Sequence, residues 1–391
     1  MCCAFPARKK IKGISKNCLA IKCRITRDTE LQPIVVDRTT VLIEKAHENF
    51  PQGQVEFPMG RARELVKDLF RRNPVIYWLD FLCSAFLGWG VFALALAAPA
   101  FSLLQILFVG ISCLALYRAV LFIHEIAHFK KGTFKVFRWV WNMLCGFPFM
   151  IPIFLYQSVH FDHHKQNFYG TQKDGEYFPF ALKERKWIVI HILFSFLVPI
   201  LFLARFSVLA PLSLIDKRLR TFLLARMSAL IIDLDYRRPE SSWKNVEDWK
   251  IQEFLACLVA WVFIVATAAK IIPAAALFLW YCVSVLIFMV NSIRTLGAHR
   301  YQNPEENVMS QPNQMLDSVN IPGNRWITPL WAPVGLRYHA THHLFPDLPY
   351  YALREAHRRL IEDQGENSLY GQTVCSGLLP ALNQLRKHAG G

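Results

Sequence analysis

The sequence predicts an all-α integral membrane protein: two transmembrane helical hairpins, giving four spans, with interfacial helices and a cytosolic histidine-rich cap that holds two metals. Three observations predict it. Of 391 residues, 53% are hydrophobic and 14% aromatic, with a positive mean hydropathy, a balance outside the usual soluble range. The apolar runs 75–98 and 101–123 each exceed the roughly 20 helical residues that cross a hydrocarbon core. Histidines then cluster at or beyond the ends of apolar runs.

The elements follow in chain order. Residues 1–72 are polar, with Arg8-Lys9-Lys10 near the start and Arg71-Arg72 at the end. They read as a cytosolic N-terminal region whose first part is disordered; Cys2-Cys3 matches no lipidation motif. A membrane domain is expected over 73–370. Its first hairpin, about 75–123, turns at Ala97-Ala98-Pro99-Ala100 and returns into His124-Glu125-Ile126-Ala127-His128. Lys130, Lys131 and Lys135 then mark the cytoplasmic boundary.

Residues 134–156 are apolar but carry Arg138, Gly146, Pro148 and Pro152. They read as an interfacial segment, with Trp139 and Trp141 at headgroup depth. Residues 187–209 resemble a further span. A full crossing would carry Lys217, Arg218, Arg220 and Arg226 outside, and Pro199 interrupts the run, so a dipping or interfacial segment is expected. The second hairpin, about 252–293, turns at Lys270-Ile271-Ile272-Pro273 and returns towards His299. Residues 371–391 read as a C-terminal tail. Both termini and the histidine site are expected on the cytoplasmic side.

The net charge of +15 comes without any nucleic-acid motif, and its basic residues flank the apolar runs, so membrane topology explains it and no nucleic-acid partner is expected. Ten cysteines without a C-x-x-C pair indicate neither a zinc framework nor a disulfide scaffold.

His124 and His128 stand at i and i+4; His160, His163 and His164 stand at i, i+3 and i+4, and His339, His342 and His343 repeat that spacing. On a helix each set shares one face. Eight histidines, or nine with His299, exceed the four that one tetrahedral ion uses and fit two metals with four or five ligands each. Imidazole suits iron, zinc, copper and nickel, so the ligand type names no element.

H-x-x-x-H at 124–128 and H-x-x-H-H at 160–164 and 339–343, joined to paired hairpins, resemble the membrane fatty acid desaturase superfamily over about residues 70–360. The resemblance implies two non-haem iron ions, dioxygen as co-substrate and a fatty acyl lipid in the bilayer as substrate. It carries over His124, His128, His160, His163, His164, His339, His342 and His343 as ligands. His299 sits where related enzymes place an additional iron ligand. Thr295 stands where some acyl-CoA desaturases have an asparagine, and the first box is shorter than theirs, so the chain looks more like an acyl-lipid desaturase.

Four further residues are candidates to support the ligands. Glu125 and Asp162 could orient ligand imidazoles, or pair with nearby lysines instead. Asp347 could do the same for the last triplet, or serve only as a turn residue between prolines. Asn291, polar near the end of the last membrane helix, could reach the metals through water or pair with backbone. His191 and His357 read as packed or surface histidines.

The reaction implied is desaturation of an acyl chain. The runner-up is hydroxylation of a lipid, alkane or carotenoid, because the same oxidation of a methylene leads to either product. A membrane metal-transport or metal-binding protein is the distant alternative, though the histidines lie at span ends and in loops. The chain has no His-Pro-Gly-Gly haem motif and no ferredoxin-type cysteine set. Electrons are therefore expected from an external ferredoxin or small cytochrome drawn to the basic face.

Overall fold

A computed structural model of the chain describes residues 56–180, 183–245 and 248–389, with a two-residue antiparallel ladder that pairs Ile21 with Val35 and Lys22 with Ile34. Cys2-Cys3 and, that ladder apart, the stretch expected to be disordered lie outside the described residues. Every other described element is a helix, as the apolar periods predict.

After α1 (Met59–Val66) the first hairpin forms from α2 (Pro74–Ala97) and α3 (Leu103–Ala127). Asn73 accepts from the Val75 amide and Pro74 takes the first helical position, while Ser102 caps Gln105, so both starts are set by local chemistry. The two helices approach closely where Gly88 meets Leu116; a Cβ on Gly88 would stand 2.5 Å from the Leu116 side chain. Leu79, Phe86, Leu87, Leu104 and Leu107 point outwards, exposed, a surface that suits hydrocarbon and not water.

The stretch expected at the interface begins with α4 (Lys135–Trp141). Trp141 is fully buried, and its indole N–H donates to the Ala119 carbonyl at 2.9 Å. The partner that satisfies the ring lies inside the protein. Then come α5 (Gln157–His163), α6 (Lys186–Phe194), α7 (Val198–Leu212) and α8 (Lys217–Arg226).

Helices α6 and α7 meet at a 51° bend, beside Pro199. The remaining long helices are α9 (Trp249–Ala268) and α10 (Ala274–Leu296). Together with α2 and α3 these make, among the described residues, four helices long and apolar enough to cross a membrane, or five if the bent pair is one span. The histidines resolve the parity. The ends of α3 and α10 both reach the histidine site, and Gln252, in the first turn of α9, accepts from the Phe154 amide six residues before His160. Residues 128 and 249 therefore lie on one face, and the α6–α7 pair returns to the face it left. Arg205 anchors the pair: fully buried, it donates to Glu253 of α9 at 2.9 Å and to the Ser228 hydroxyl at 2.8 Å.

The cap is built from α11 (Gln311–Asp317), α12 (Thr328–Trp331), α13 (His339–Leu344), α14 (Leu353–Gln364) and α15 (Leu378–His388). A second apolar core under it joins Ala62 and Val66 of α1 to Met315, Leu344 and Leu360. The segment read as a tail contains α15, which packs against α10 and buries Ala381 and Leu385.

Candidate metal centre

Four elements deliver the imidazoles. The last turn of α3 brings His124 and His128, α5 and its C-cap bring His160, His163 and His164, α13 brings its triplet, and a short bridge to Ser318 fixes His299 beyond α10. The rings gather into two groups whose ligating nitrogens lie within 4.8 Å of one another: His124, His128, His160 and His342 in one, His163, His299, His339 and His343 in the other. Each group draws on three or more separate elements, so neither can form without the tertiary fold. His164 stands between them, its Nε2 3.2 Å from that of His160 and 3.1 Å from that of His342. It is available as a fifth ligand to the first group.

The arrangement fits metal ions on the chemistry of its nitrogens. His160 gives Nδ1 to Glu176 at 3.0 Å, His163 gives Nδ1 to Asp174 at 2.8 Å, and His299 gives Nδ1 to the Tyr169 hydroxyl at 2.9 Å, which itself donates to Asp317 at 2.8 Å. Engaging Nδ1 outwards leaves the Nε2 lone pair facing inwards. In the second group the Nε2 atoms of His299 and His339 stand 2.9 Å apart and those of His339 and His343 3.2 Å apart. Converging lone pairs repel unless a cation lies among them. Both ring nitrogens of buried His124 also lack a hydrogen-bond partner, and metal ligation would satisfy the one that carries the lone pair.

Burial pushes His128, His160, His164, His299, His339, His342 and His343 well below the ordinary histidine range, and the neighbouring imidazoles add to it. The neutral form that burial favours is the form that binds metal. His163 is different. Burial opposes its charge as well, but the Asp174 carboxylate together with Glu176 and Asp317 outweighs it and raises the pKa. Burial, reinforced by the charge of Asp174, pushes Glu176 up to about 7.

The four expected supporting residues separate. Glu125 is buried and accepts from the Tyr77 hydroxyl at 2.6 Å and the Tyr350 amide at 3.2 Å. It lies 3.8 Å from His124 Nδ1, beyond hydrogen-bond reach, and so braces α3 against α2 and the cap. Asp162 is a correction: its carboxylate turns to Lys165 at 2.6 Å. The spacing explains it, since position 162 lies on the helix face opposite 160, 163 and 164. Asp347 is another: it is exposed and faces Arg72 at 3.6 Å. Asn291 accepts from Arg294 at 3.0 Å and lines a cavity beside the first group.

The acids that do hold ligand rings, Asp174 and Glu176, were missed by the sequence reading, as were Tyr169, Asp317 and Gln314, whose Oε1 stands 3.4 Å from His343 Nδ1. The one available signal was two acids at alternate positions shortly after the second box, in a loop with no period.

The cavity has a volume of about 370 Å³. His124, Tyr156 and Glu176 line its inner end, and Phe194, Val198, Phe202, Ile287 and Phe288 line the rest. An apolar slot between α7 and α10 therefore leads to the imidazoles.

The fatty acid desaturase family model matches residues 97–373. The chain belongs to the fatty acid desaturase family. It is also 37% identical over 326 residues, 83% of this chain and 92% of the relative, to a protein described as a ceramide hydroxylase from Caulobacter vibrioides (strain NA1000 / CB15N). No solved structure matches it significantly. Family and relative together place the protein among the membrane lipid desaturases and hydroxylases, and its two histidine groups are compatible with a non-haem di-iron centre.

Proposed function

We propose that the protein is an oxygen-dependent membrane lipid oxidase using two non-haem irons, and that its reaction is hydroxylation of a ceramide-type lipid. The observation that supports the chemistry is the pair of buried four-histidine groups at the end of an apolar slot. The similarity to a ceramide hydroxylase over most of both chains favours hydroxylation over the desaturation that the histidine pattern first suggests. Desaturation of an acyl chain is retained as the second reading because the family model that covers the site is that of fatty acid desaturases.

Bound at the two groups, two irons would supply the one chemistry side chains lack, activation of dioxygen against an unactivated C–H bond. The chain's own residues do the rest. Asp174, Glu176 and Tyr169 hold the rings of His163, His160 and His299. The apolar walls of α7 and α10 admit an alkyl chain and exclude water. In hydroxylation one C–H bond becomes C–O–H, one oxygen atom of dioxygen enters the lipid and the other leaves as water. Two electrons and two protons enter from outside.

The electrons would come from a ferredoxin or small cytochrome docking on basic residues of the cytoplasmic face, with exposed Lys130 and Lys173 as candidates. Docking there predicts that turnover slows as salt rises. A metal carrier is the poorer reading: both histidine groups lie at one level, at the end of the slot and not along a path through the spans. The deciding experiment expresses the chain in a host under 18O2 and analyses its ceramides. A new hydroxyl carrying 18O supports hydroxylation. A new double bond with no label moves the reading to desaturation, and unchanged lipids with reductant present overturn both.

A further inference from the structure

The cavity lining is mostly apolar; of its two arginines, Arg226 donates to the Leu234 and Asp235 carbonyls, and the other does not fit an alkyl chain. Arg294, in the last turn of α10, lines it together with Asn291 and Thr295. Positions i, i+3 and i+4 share a helix face. The guanidinium donates to Asn291 Oδ1 at 3.0 and 3.3 Å and to the Thr295 hydroxyl at 2.8 Å. The Thr295 hydroxyl is in turn tied to the Asn291 carbonyl at 2.8 Å. These partners are neutral oxygens. A half-buried guanidinium in an apolar slot at the end of a membrane helix is costly without further acceptors, and its planar fork suits two oxygens held side by side.

The same wall carries acceptors. Glu176, Tyr156 and His124 line the same cavity as Arg294. A carboxyl group on the cavity wall disfavours a phosphate ligand. A neutral group with both donors and acceptors, such as an amide flanked by a hydroxyl, satisfies Arg294 on one side and Glu176 or Asn291 on the other. An alkyl chain running past the metals with its head at the membrane surface would offer the remaining N–H groups of Arg294 no acceptor.

We propose that Arg294, positioned by Asn291 and Thr295, binds the amide and hydroxyl oxygens of the lipid inside the cavity, so that the carbon oxidised lies beside that polar group and not in mid-chain. The inference rests on the lipid-oxidase reading and adds to it a specificity site and a regiochemistry. The oxidation is the one balanced above, with dioxygen and a reduced one-electron carrier as co-reactants. Arg294 is a binding residue; it takes no part in the transfer of electrons.

The test has a binding arm and a product arm. In the first, a short-chain fluorescent ceramide is titrated against iron-loaded protein in nanodiscs, with a diacylglycerol of equal chain length as comparison. The wild type should prefer the ceramide. Arg294→Gln should weaken ceramide binding on the order of 10- to 100-fold, the range for a charge-assisted hydrogen bond, and narrow the preference. Arg294→Lys, which keeps the charge and loses the fork, should fall between. Thr295→Val provides a milder lesion should Arg294→Gln fold poorly, and iron content measured on each variant separates lost binding from a lost metal site. Equal binding of the two lipids by the wild type, or unchanged ceramide binding in Arg294→Gln and Thr295→Val, would overturn the proposal.

In the product arm, fragmentation of the oxidised ceramide should place the new oxygen next to the amide or its neighbouring hydroxyl. Oxidation in the distal half of either chain would overturn the proposal while leaving the lipid-oxidase reading intact. Tight, Arg294-dependent ceramide binding with no oxidation would support the site and count against the oxidase reading.

Discussion

Glu176 reaches the Nδ1 of His160 at 3.0 Å from sixteen residues further along the chain, in a loop outside every histidine box. The same carboxylate accepts from the Tyr156 hydroxyl at 3.2 Å. Removing its charge while keeping its shape, as in Glu176→Gln, replaces the charged acceptor that orients His160 with a weaker neutral one. Metal affinity of that group should drop roughly 10- to 100-fold, with the second group unaffected. Iron titration of the apo-protein would show one of two binding phases shifted; a shift in neither phase would remove Glu176 from the site.

Asp174 bears on the other group. It accepts from His163 at 2.8 Å and also from the Gly170 and Glu176 amides, each at 2.9 Å. Asp174→Asn should therefore weaken the second metal phase and lower folding stability by about 1–3 kcal/mol. Thermal unfolding of the metal-free protein checks the stability part, and wild-type stability there would contradict the structural role.

These two acids show where the sequence stops being informative. The spans α2, α3, α9 and α10 are visible as long apolar runs, and the box histidines are visible as repeated helical spacings, because a membrane and a helix each impose a period. Asp174, Glu176, Tyr169 and Asp317 sit in turns that impose none, and they meet their histidines only through the tertiary fold. Asp162, between His160 and His163 in sequence, points the other way for a helical reason. The α6–α7 pair is ambiguous by composition alone, and only the convergence of His128, His160 and His299 fixes its parity.

Buried His357 donates or accepts at the Tyr370 hydroxyl at 2.9 Å, and burial, with Arg337 nearby, lowers its pKa to about 4. The unfolded chain takes up this proton near pH 6.5, the folded chain only near pH 4. The contribution is thus fully present above pH 6.5 and is lost as pH falls towards 4, with an upper limit on the order of 3 kcal/mol. In His357→Gln the acid-induced loss of stability over that window should be smaller than in the wild type. Denaturant melts at pH 7 and pH 4.5 measure the difference, and equal losses would exclude His357 as the source.

Gly335 adopts φ +69°, and a Cβ there would stand 2.8 Å from the Tyr350 carbonyl oxygen. The turn sets the approach to α13 and its three histidines. Gly335→Ala should cost about 1–3 kcal/mol and loosen both metal groups, since α13 supplies each. Unfolding midpoint and iron retention should fall together. A variant as stable as the wild type would mean that the turn relaxes without strain.

The central claim, two metal centres of four histidines each, is tested most directly by counting iron in the purified protein and in variants that break one group at a time. Two irons per chain are expected in the wild type. His128→Ala should retain the iron held by His163, His299, His339 and His343, and His299→Ala the iron held by the other group, so that each binds about one. A wild type that holds a single iron, or a different metal, or two variants that each lose all metal or none, would contradict it.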